Sequence, residues 1–328
     1  MKELEEYLSL EKIFFQKDVS LASISTIRAG GTCGVVVSPD TVDKIRKLIC
    51  FFRQKNIKYI VVGRLSNIIF RDGFIQTVIV VTSKLKSHGF EGKDFYRAQS
   101  GVGLPSIAYE ISKLGYEGFS GLVGVPGSIG GAVYMNASSY GHAISDYLVS
   151  VTCINESGEL FEFQKDDLDF SWRKSAFQTT LRDMTILEAC FRLVPGNKSE
   201  INLHMKESIH NRRLFLENNH PNLGSTFSTR HLYGELSKKF FLYRMGYSLV
   251  RVWIKLFPKN GSRLRVNYTK LYFGIKDSDR VGLSDRTINC VVNKGGASAS
   301  EIIQFVRVMQ KKINYCVPLE IEIFEDVI

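Results

Sequence analysis

The sequence predicts an α+β protein laid out in consecutive segments, and three observations carry that expectation. β-branched runs alternate with amphipathic stretches over residues 20–82, a second strand, turn and helix follow residue 90, and a glycine-rich loop at 121–131 precedes a hairpin pattern. At 328 residues and 44 % hydrophobic content, the chain can bury a large core in two or three domains.

The amino terminus, MKELEEYLSLEKIFF, is acidic and lacks a basic stretch followed by a long apolar core, so the expected location is the cytoplasm. Val35, Val36 and Val37 form a strand-like run. Pro39-Asp40-Thr41 then offers a helix start, with Val42, Ile45, Leu48, Ile49 and Phe52 at helical spacing, and residues 57–62 are strand-like again. This βαβ unit runs into Gly63-Arg64-Leu65-Ser66-Asn67, a glycine with short polar side chains at a strand's carboxyl end, where such sheets put ligand contacts. Strand-like residues 68–70 and 77–81 complete the first segment.

Residues 97–105 read as a strand ending in a Gly-x-Gly turn at Gly101 and Gly103. Pro105 opens a helix with Ile107, Ala108, Ile111 and Leu114 on one face and Gly115 at its end. In the loop that follows, Gly124, Gly127, Gly130 and Gly131 let the backbone bend where a side chain would clash, and Pro126 stiffens the turn. Successive exposed N–H groups of such a loop form a concave surface for a phosphate or pyrophosphate; a tight turn between core elements is the competing explanation. Residues 149–163 form a hairpin turning at 155–158, residues 187–193 a closing strand, and Pro195-Gly196 a domain boundary.

The six cysteines are scattered without a C-x-x-C pair, as expected of buried free thiols in a reducing compartment, and the six histidines lack ligand spacing, so no metal is expected. The net charge of +10 is local. Residues 230–270 hold ten Lys and Arg against one acid, Glu235, which weighs against a nucleic-acid partner for the chain as a whole.

Thr26-Ile27-Arg28-Ala29-Gly30-Gly31, Gly63-x-x-Ser66-Asn67, Ser100-Gly101-Val102-Gly103 and the loop GVPGSIGGAVYMNASSYG follow one another in an order that resembles the FAD-binding half of the UDP-N-acetylmuramate dehydrogenase (MurB) family. The likeness continues through Phe170-Ser171-Trp172-Arg173-Lys174-Ser175, Gly224-Ser225-Thr226-Phe227, residues 289–300 and Pro318-Leu319-Glu320-Ile321-Glu322.

That resemblance implies a vanillyl-alcohol-oxidase (PCMH-type) FAD-binding fold. Its two subdomains would occupy 20–82 and 83–195, with a smaller α+β substrate domain at 200–315 and a carboxyl-terminal strand at 316–328. It implies FAD held by Gly63, Arg64, Leu65, Ser66, Asn67, Gly101, Gly124, Pro126, Gly127, Ser128, Gly130, Gly131 and Asn136. The flavin carries the redox chemistry and the protein orients it. The implied reaction is NADPH-driven reduction of UDP-N-acetylglucosamine enolpyruvate to UDP-N-acetylmuramate, a precursor of peptidoglycan or another surface polysaccharide, with hydride from flavin N5.

Reducing an enol ether conjugated to a carboxylate builds negative charge, which calls for a fixed cation and a proton donor. By resemblance, Arg173 holds and polarises the carboxylate, Ser225 delivers the proton and Glu322 is the partner of Arg173 in stabilising the enolate. From the residues alone, a surface Arg beside Lys174, a turn Ser, and a solvated strand face carrying both Glu320 and Glu322 compete with these roles.

Several positions depart from the family pattern. Leu65 stands where Gly is usual, Phe227-Ser228-Thr229-Arg230 replaces the usual continuation after Ser225, and Thr287-Ile288-Asn289-Cys290 replaces His-Ala-Asn-Phe. A diverged oxidoreductase acting on another sugar, or a non-catalytic flavin-binding interaction protein, are the alternatives. Residues 230–270 exceed the family's spacing and mix aromatics with Arg and Lys. Too interrupted by charge to span a bilayer, they fit a membrane-surface or protein contact, a lid over a nucleotide-sugar diphosphate, or a packed helical hairpin with a solvated basic face. Arg212 and Arg213 are further candidates for a diphosphate contact.

Overall fold

A computed structural model describes residues 2–258 and 260–325. The chain forms two compact units: Met1–Val19, Cys33–Leu65 and Phe74–His210 make one, and Ser20–Thr32, Ser66–Gly73 and Asn211–Ile328 the other. Each unit draws on separate stretches of the sequence. Residues 20–32 and 66–73 join the carboxyl-terminal unit through backbone pairing. The strand Ile68–Phe70 runs parallel to Glu322–Phe324, the Gly31 amide donates to the Arg71 carbonyl at 2.9 Å, and Asn293 Nδ2 donates to the Ile27 carbonyl at 3.0 Å. Sequence periodicity carries no trace of such long-range pairing.

Among the described residues the first unit holds two five-stranded sheets, besides the short pair Ser138–Ser139 and His142–Ala143. In one, strands Thr32–Ser38 and Tyr59–Val62 both lie parallel to Val78–Val81 and flank it, with Phe14–Ser20 outside Thr32–Ser38. The connecting helix Val42–Gln54 starts where Thr41 Oγ1 accepts from the Lys44 amide at 3.2 Å, and it buries Ile45, Leu48, Ile49 and Phe52, as the spacing predicts. The second sheet is antiparallel, ordered Leu160–Gln164, Leu148–Ile154, Thr185–Arg192, Phe95–Gln99, His88–Glu91. Helix Leu104–Leu114 closes on Gly115 in a left-handed cap and packs Ile107 and Ile111 into a core with Tyr96, Val133 and Phe191. Leu114, expected on the buried face, is half exposed.

The second unit packs helix Ala299–Lys312 beside the hairpin Val281–Leu283 and Val291–Asn293, around Phe227, Ile288, Val306 and Met309. Ser298 and Glu301 form the predicted capping box, with Ser298 Oγ accepting from the Glu301 amide at 3.1 Å and Glu301 Oε2 accepting from the Ser298 amide at 2.8 Å.

Within the expected carboxyl-terminal strand 316–328, the described residues form a strand at Glu322–Phe324. The residues before it are drawn instead to residues 226–228: the Ser228 amide donates to the Pro318 carbonyl and the Glu320 amide to the Thr226 carbonyl, both at 2.9 Å.

Residues 230–270 form helices Leu232–Lys239, Phe241–Leu256 and Gly261–Phe273. They pack through tyrosines. Tyr243 Oη and Thr269 Oγ1 are 2.9 Å apart, Tyr268 Oη donates to the Tyr243 carbonyl at 3.1 Å, and a Cβ at Gly246 would lie 2.1 Å from Tyr268 Oη. The expected solvated basic face is corrected on one point: the outward side of Phe241–Leu256 is largely apolar, since the tyrosines supply the inward packing and leave the leucines, Phe241 and Trp253 outside. No helix among the described residues is long and apolar enough to cross a membrane. Of the cysteines, Cys33, Cys153, Cys190 and Cys290 are buried, whereas Cys50 is exposed.

Candidate functional site

In the first unit the glycine loop is zipped to the turn after Phe95–Gln99. The amides of Ile129 and Gly130 donate to the Val102 and Ser100 carbonyls at 2.9 Å, and the Leu104 amide to the Gly127 carbonyl at 3.2 Å. Two donors expected to face a phosphate are thereby used inside the protein. Gly124 and Pro126 are exposed, Gly101 is buried, and Ser128 precedes the short helix Ile129–Tyr134 that carries Gly130 and the exposed Gly131.

Ser128 differs from these amides. Its hydroxyl is buried and has no hydrogen-bond partner among the described residues, and the same is true of Asn136 Oδ1. An unpaired buried polar atom costs roughly 1–3 kcal/mol, which a bound polar ligand recovers. A Cβ on Gly63 would lie 2.4 Å from Ser128 Oγ, so a larger residue at the strand end would force that hydroxyl to turn away. Arg64 is exposed, with its guanidinium near Gly103. This glycine-lined cradle with orphaned acceptors and donors fits the polar part of FAD.

Leu65 takes φ 50°, in the left-handed region that favours glycine, and is 4 % exposed. The backbone therefore keeps a conformation suited to glycine, and burial of the leucine side chain offsets a strain of about 1–2 kcal/mol.

Arg173 sits at φ 56° in a tight turn in which the Ser171 and Lys174 backbones exchange hydrogen bonds of 3.1 and 3.2 Å. Its guanidinium lies 5.4 Å from the Trp172 ring centroid. Two side chains tie this turn to the segment after the glycine loop. Asn136 Nδ2 donates to the Ser171 carbonyl at 2.8 Å, and Gln178 Nε2 donates to both the Arg173 carbonyl at 3.1 Å and the Tyr134 carbonyl at 2.9 Å. Ser175 Oγ adds a bond to the Tyr134 carbonyl at 2.7 Å. No local signal in the sequence marks Gln178, because its bridging role depends on the Tyr134 carbonyl, 44 positions away.

The second unit contains Ser66, Asn67, Ser225 and Glu322. Asn67 Nδ2 donates to the Glu320 carbonyl at 2.9 Å, and the Glu322 amide donates to the Asn67 carbonyl at 2.8 Å. The half-buried Ser225 is held through its neighbours. Asn289 Oδ1 accepts from the Phe227 amide at 2.7 Å, Asn289 Nδ2 donates to the Phe227 carbonyl at 2.9 Å, and the Thr226 amide donates to the Asn289 carbonyl at 2.9 Å. The departures at Thr287, Ile288 and Cys290 thus surround an asparagine that pins the Ser225 segment. Glu322 is open to solvent on one side, yet enough protein surrounds its carboxyl that desolvation raises its pKa.

Arg212 and Arg213 lie on helix Lys198–Phe215; the carbonyl of Arg213 accepts from Arg286 Nη1.

An FAD binding domain family matches residues 33–164. The UDP-N-acetylenolpyruvoylglucosamine reductase of Enterococcus faecalis is 31 % identical over 230 residues, covering 70 % of this chain and 76 % of the relative. Reductase 1 of Bacillus cereus with the same name is 30 % identical over 298 residues, covering 90 % and 88 %. This chain belongs to the UDP-N-acetylenolpyruvoylglucosamine reductase family. The crystal structure of that reductase (MurB) from Thermus caldophilus shares the fold, with a TM-score of 0.71 at 20 % identity over 95 % of this chain and 99 % of that one. As a family member this chain is an FAD-dependent oxidoreductase of α+β architecture with a PCMH-type flavin fold.

Proposed function

We propose that the chain reduces UDP-N-acetylglucosamine enolpyruvate to UDP-N-acetylmuramate in the cytoplasm, with NADPH as reductant, to make a precursor of peptidoglycan or another surface polysaccharide. The observation that carries this is the anchoring of the Arg173 turn, through Asn136 and Gln178, to the segment leading out of the glycine cradle. A cation is thereby built rigidly onto the part of the chain that fits the flavin nucleotide.

Ser128 Oγ and Asn136 Oδ1, which have no hydrogen-bond partner among the described residues, hold FAD together with Gly63, Arg64, Leu65, Ser66, Asn67, Gly101, Gly124, Pro126, Gly127, Gly130 and Gly131. FAD, when bound, supplies the two-electron chemistry that neither NADPH nor the sugar performs alone. Arg173 binds the enolpyruvyl carboxylate and stabilises the charge that builds on it. Ser225 donates a proton to the neighbouring carbon, which requires its hydroxyl to be held in place; the Asn289 bonds do that for the adjoining backbone. Glu322, whose raised pKa keeps it protonated to higher pH, donates a hydrogen bond to the enolate oxygen.

The test uses purified protein under anaerobic conditions. A yellow protein bleached by NADPH and reoxidised by UDP-N-acetylglucosamine enolpyruvate supports both half-reactions. Bleaching without reoxidation would favour a second reading, reduction of a different sugar, which the altered residues 227–230 motivate. A colourless protein that FAD cannot reconstitute would overturn the assignment.

A further inference from the structure

We propose that the outward face of helix Phe241–Leu256 docks on an anionic lipid surface. Along this helix Phe241, Leu242, Met245, Leu249, Trp253 and Leu256 are each between 55 and 73 % exposed. At 100° per residue they fall within one arc of about 120°. The opposite side is occupied by Tyr243 and Tyr247, which pack against Tyr268. The solvent face of the helix is therefore its apolar face, the reverse of a helix that serves only its own core.

Charge selects the occupant. Arg244, Arg251 and Lys255 are exposed and line one border of the apolar arc, and the helix contains no Asp or Glu. An apolar stripe bordered by cations, with a tryptophan at its edge, is the pattern of a helix lying in the plane of a bilayer interface. Anionic headgroups meet the cationic border while acyl chains cover the leucines. A second copy is disfavoured by the same charges: a two-fold pairing through this face would bring cationic borders together with no acid on the helix to receive them. At 16 residues the helix is about 24 Å long and lies on the bilayer rather than crossing it.

The experiment is co-sedimentation of the full-length, FAD-loaded protein with vesicles of phosphatidylcholine alone or mixed 3:1 with phosphatidylglycerol. Binding to the anionic vesicles, absent with the neutral ones and weakened by salt, is expected. Arg244→Gln/Arg251→Gln/Lys255→Gln and, separately, Leu249→Glu/Trp253→Glu should each lower the partition coefficient by about tenfold or more. Both sets change exposed side chains, so flavin content and its reduction by NADPH in solution should be unaltered. Equal partitioning of all three proteins would overturn the proposal. So would wild-type protein that ignores anionic vesicles, whether it then sediments as a monomer, as an oligomer dispersed by Leu249→Glu, or bound through this helix to an acidic protein.

Discussion

The backbone amide of Glu322 donates to the Asn67 carbonyl at 2.8 Å, so the candidate acid and the last residue of the candidate flavin turn belong to one structural piece. Asn67 returns a bond from Nδ2 to the Glu320 carbonyl at 2.9 Å, fixing the register in which Glu322 pairs with Ile68. This separates the two glutamates. Both are engaged through their backbones, but Glu322 begins the strand and its carboxyl is partly desolvated, which raises its pKa. Glu322→Gln should lower kcat by about 10²-fold or more, whereas Glu320→Gln should change it by about twofold at most. Steady-state kinetics of the two variants checks this; the reverse order would move the acid to Glu320.

The pH dependence of stability tests the environment of Glu322 independently of catalysis. Its folded pKa is raised above the ordinary 4.5, so its contribution to stability is complete below that value and is lost as pH rises through the folded pKa. Glu322→Gln carries no charge to desolvate. Thermal unfolding should find the variant as stable as the parent near pH 4 and more stable near pH 8; a parent that is more stable at the higher pH would contradict the desolvated carboxyl.

Ser225→Ala separates the half-reactions. Reduction of the flavin by NADPH uses no proton from this hydroxyl and should proceed at the parent rate. Reoxidation by the enolpyruvyl sugar should slow by about 10²–10⁴-fold, the usual worth of a positioned proton donor. Stopped-flow absorbance resolves the two steps. Equal slowing of both would mean that Ser225 shapes the site rather than donating the proton.

Local elements were legible wherever period and punctuation agreed: the helix after Thr41, the helix closed by Gly115 and the Ser298–Glu301 box all form as their residues predict. The carboxyl-terminal strand forms over less of its expected length because residues 318–320 bond to 226–228, a pairing that the sequence pattern does not encode. Arg173, Ser225 and Glu322 stood out only by resemblance; nothing in composition distinguishes them from surface or turn residues. Asn289 and Gln178 were invisible as positioning groups for another reason. Each side chain bonds a backbone atom far away in sequence, Phe227 for Asn289 and Tyr134 for Gln178, and no spacing rule encodes that.

Gly63 tests the flavin cradle. A Cβ there meets Ser128 Oγ at 2.4 Å, so Gly63→Ala should weaken FAD retention and lower Tm. Ser128→Ala removes the clashing oxygen. The double variant should recover Tm but not flavin affinity, because the hydroxyl proposed to face the ligand is gone. Flavin content by absorbance and Tm by calorimetry distinguish the effects, and recovery of both would reduce Ser128 to a packing residue.

Asp277 is the junction between the tyrosine-packed helices and the hairpin core of their unit. Lys270, near the end of Gly261–Phe273, reaches it at 2.8 Å, and Lys294, just beyond Val291–Asn293, at 3.0 Å. Desolvation pushes this carboxyl up, but the hydrogen bonds from Lys270 and Lys294 outweigh it, and the pKa falls below the ordinary 3.8. A depressed folded pKa gives stability that is present above the unfolded value and lost as pH falls through the folded one. Asp277→Asn should therefore cost about 1–3 kcal/mol at neutral pH, with the difference from the parent shrinking below pH 4. Chemical denaturation at pH 7 and pH 3 measures both. Because Lys270 belongs to the helix that packs on Phe241–Leu256, amide exchange in that pair should also quicken in the variant. Unchanged exchange there would mean that the tyrosine contacts hold the pair without the ion triad.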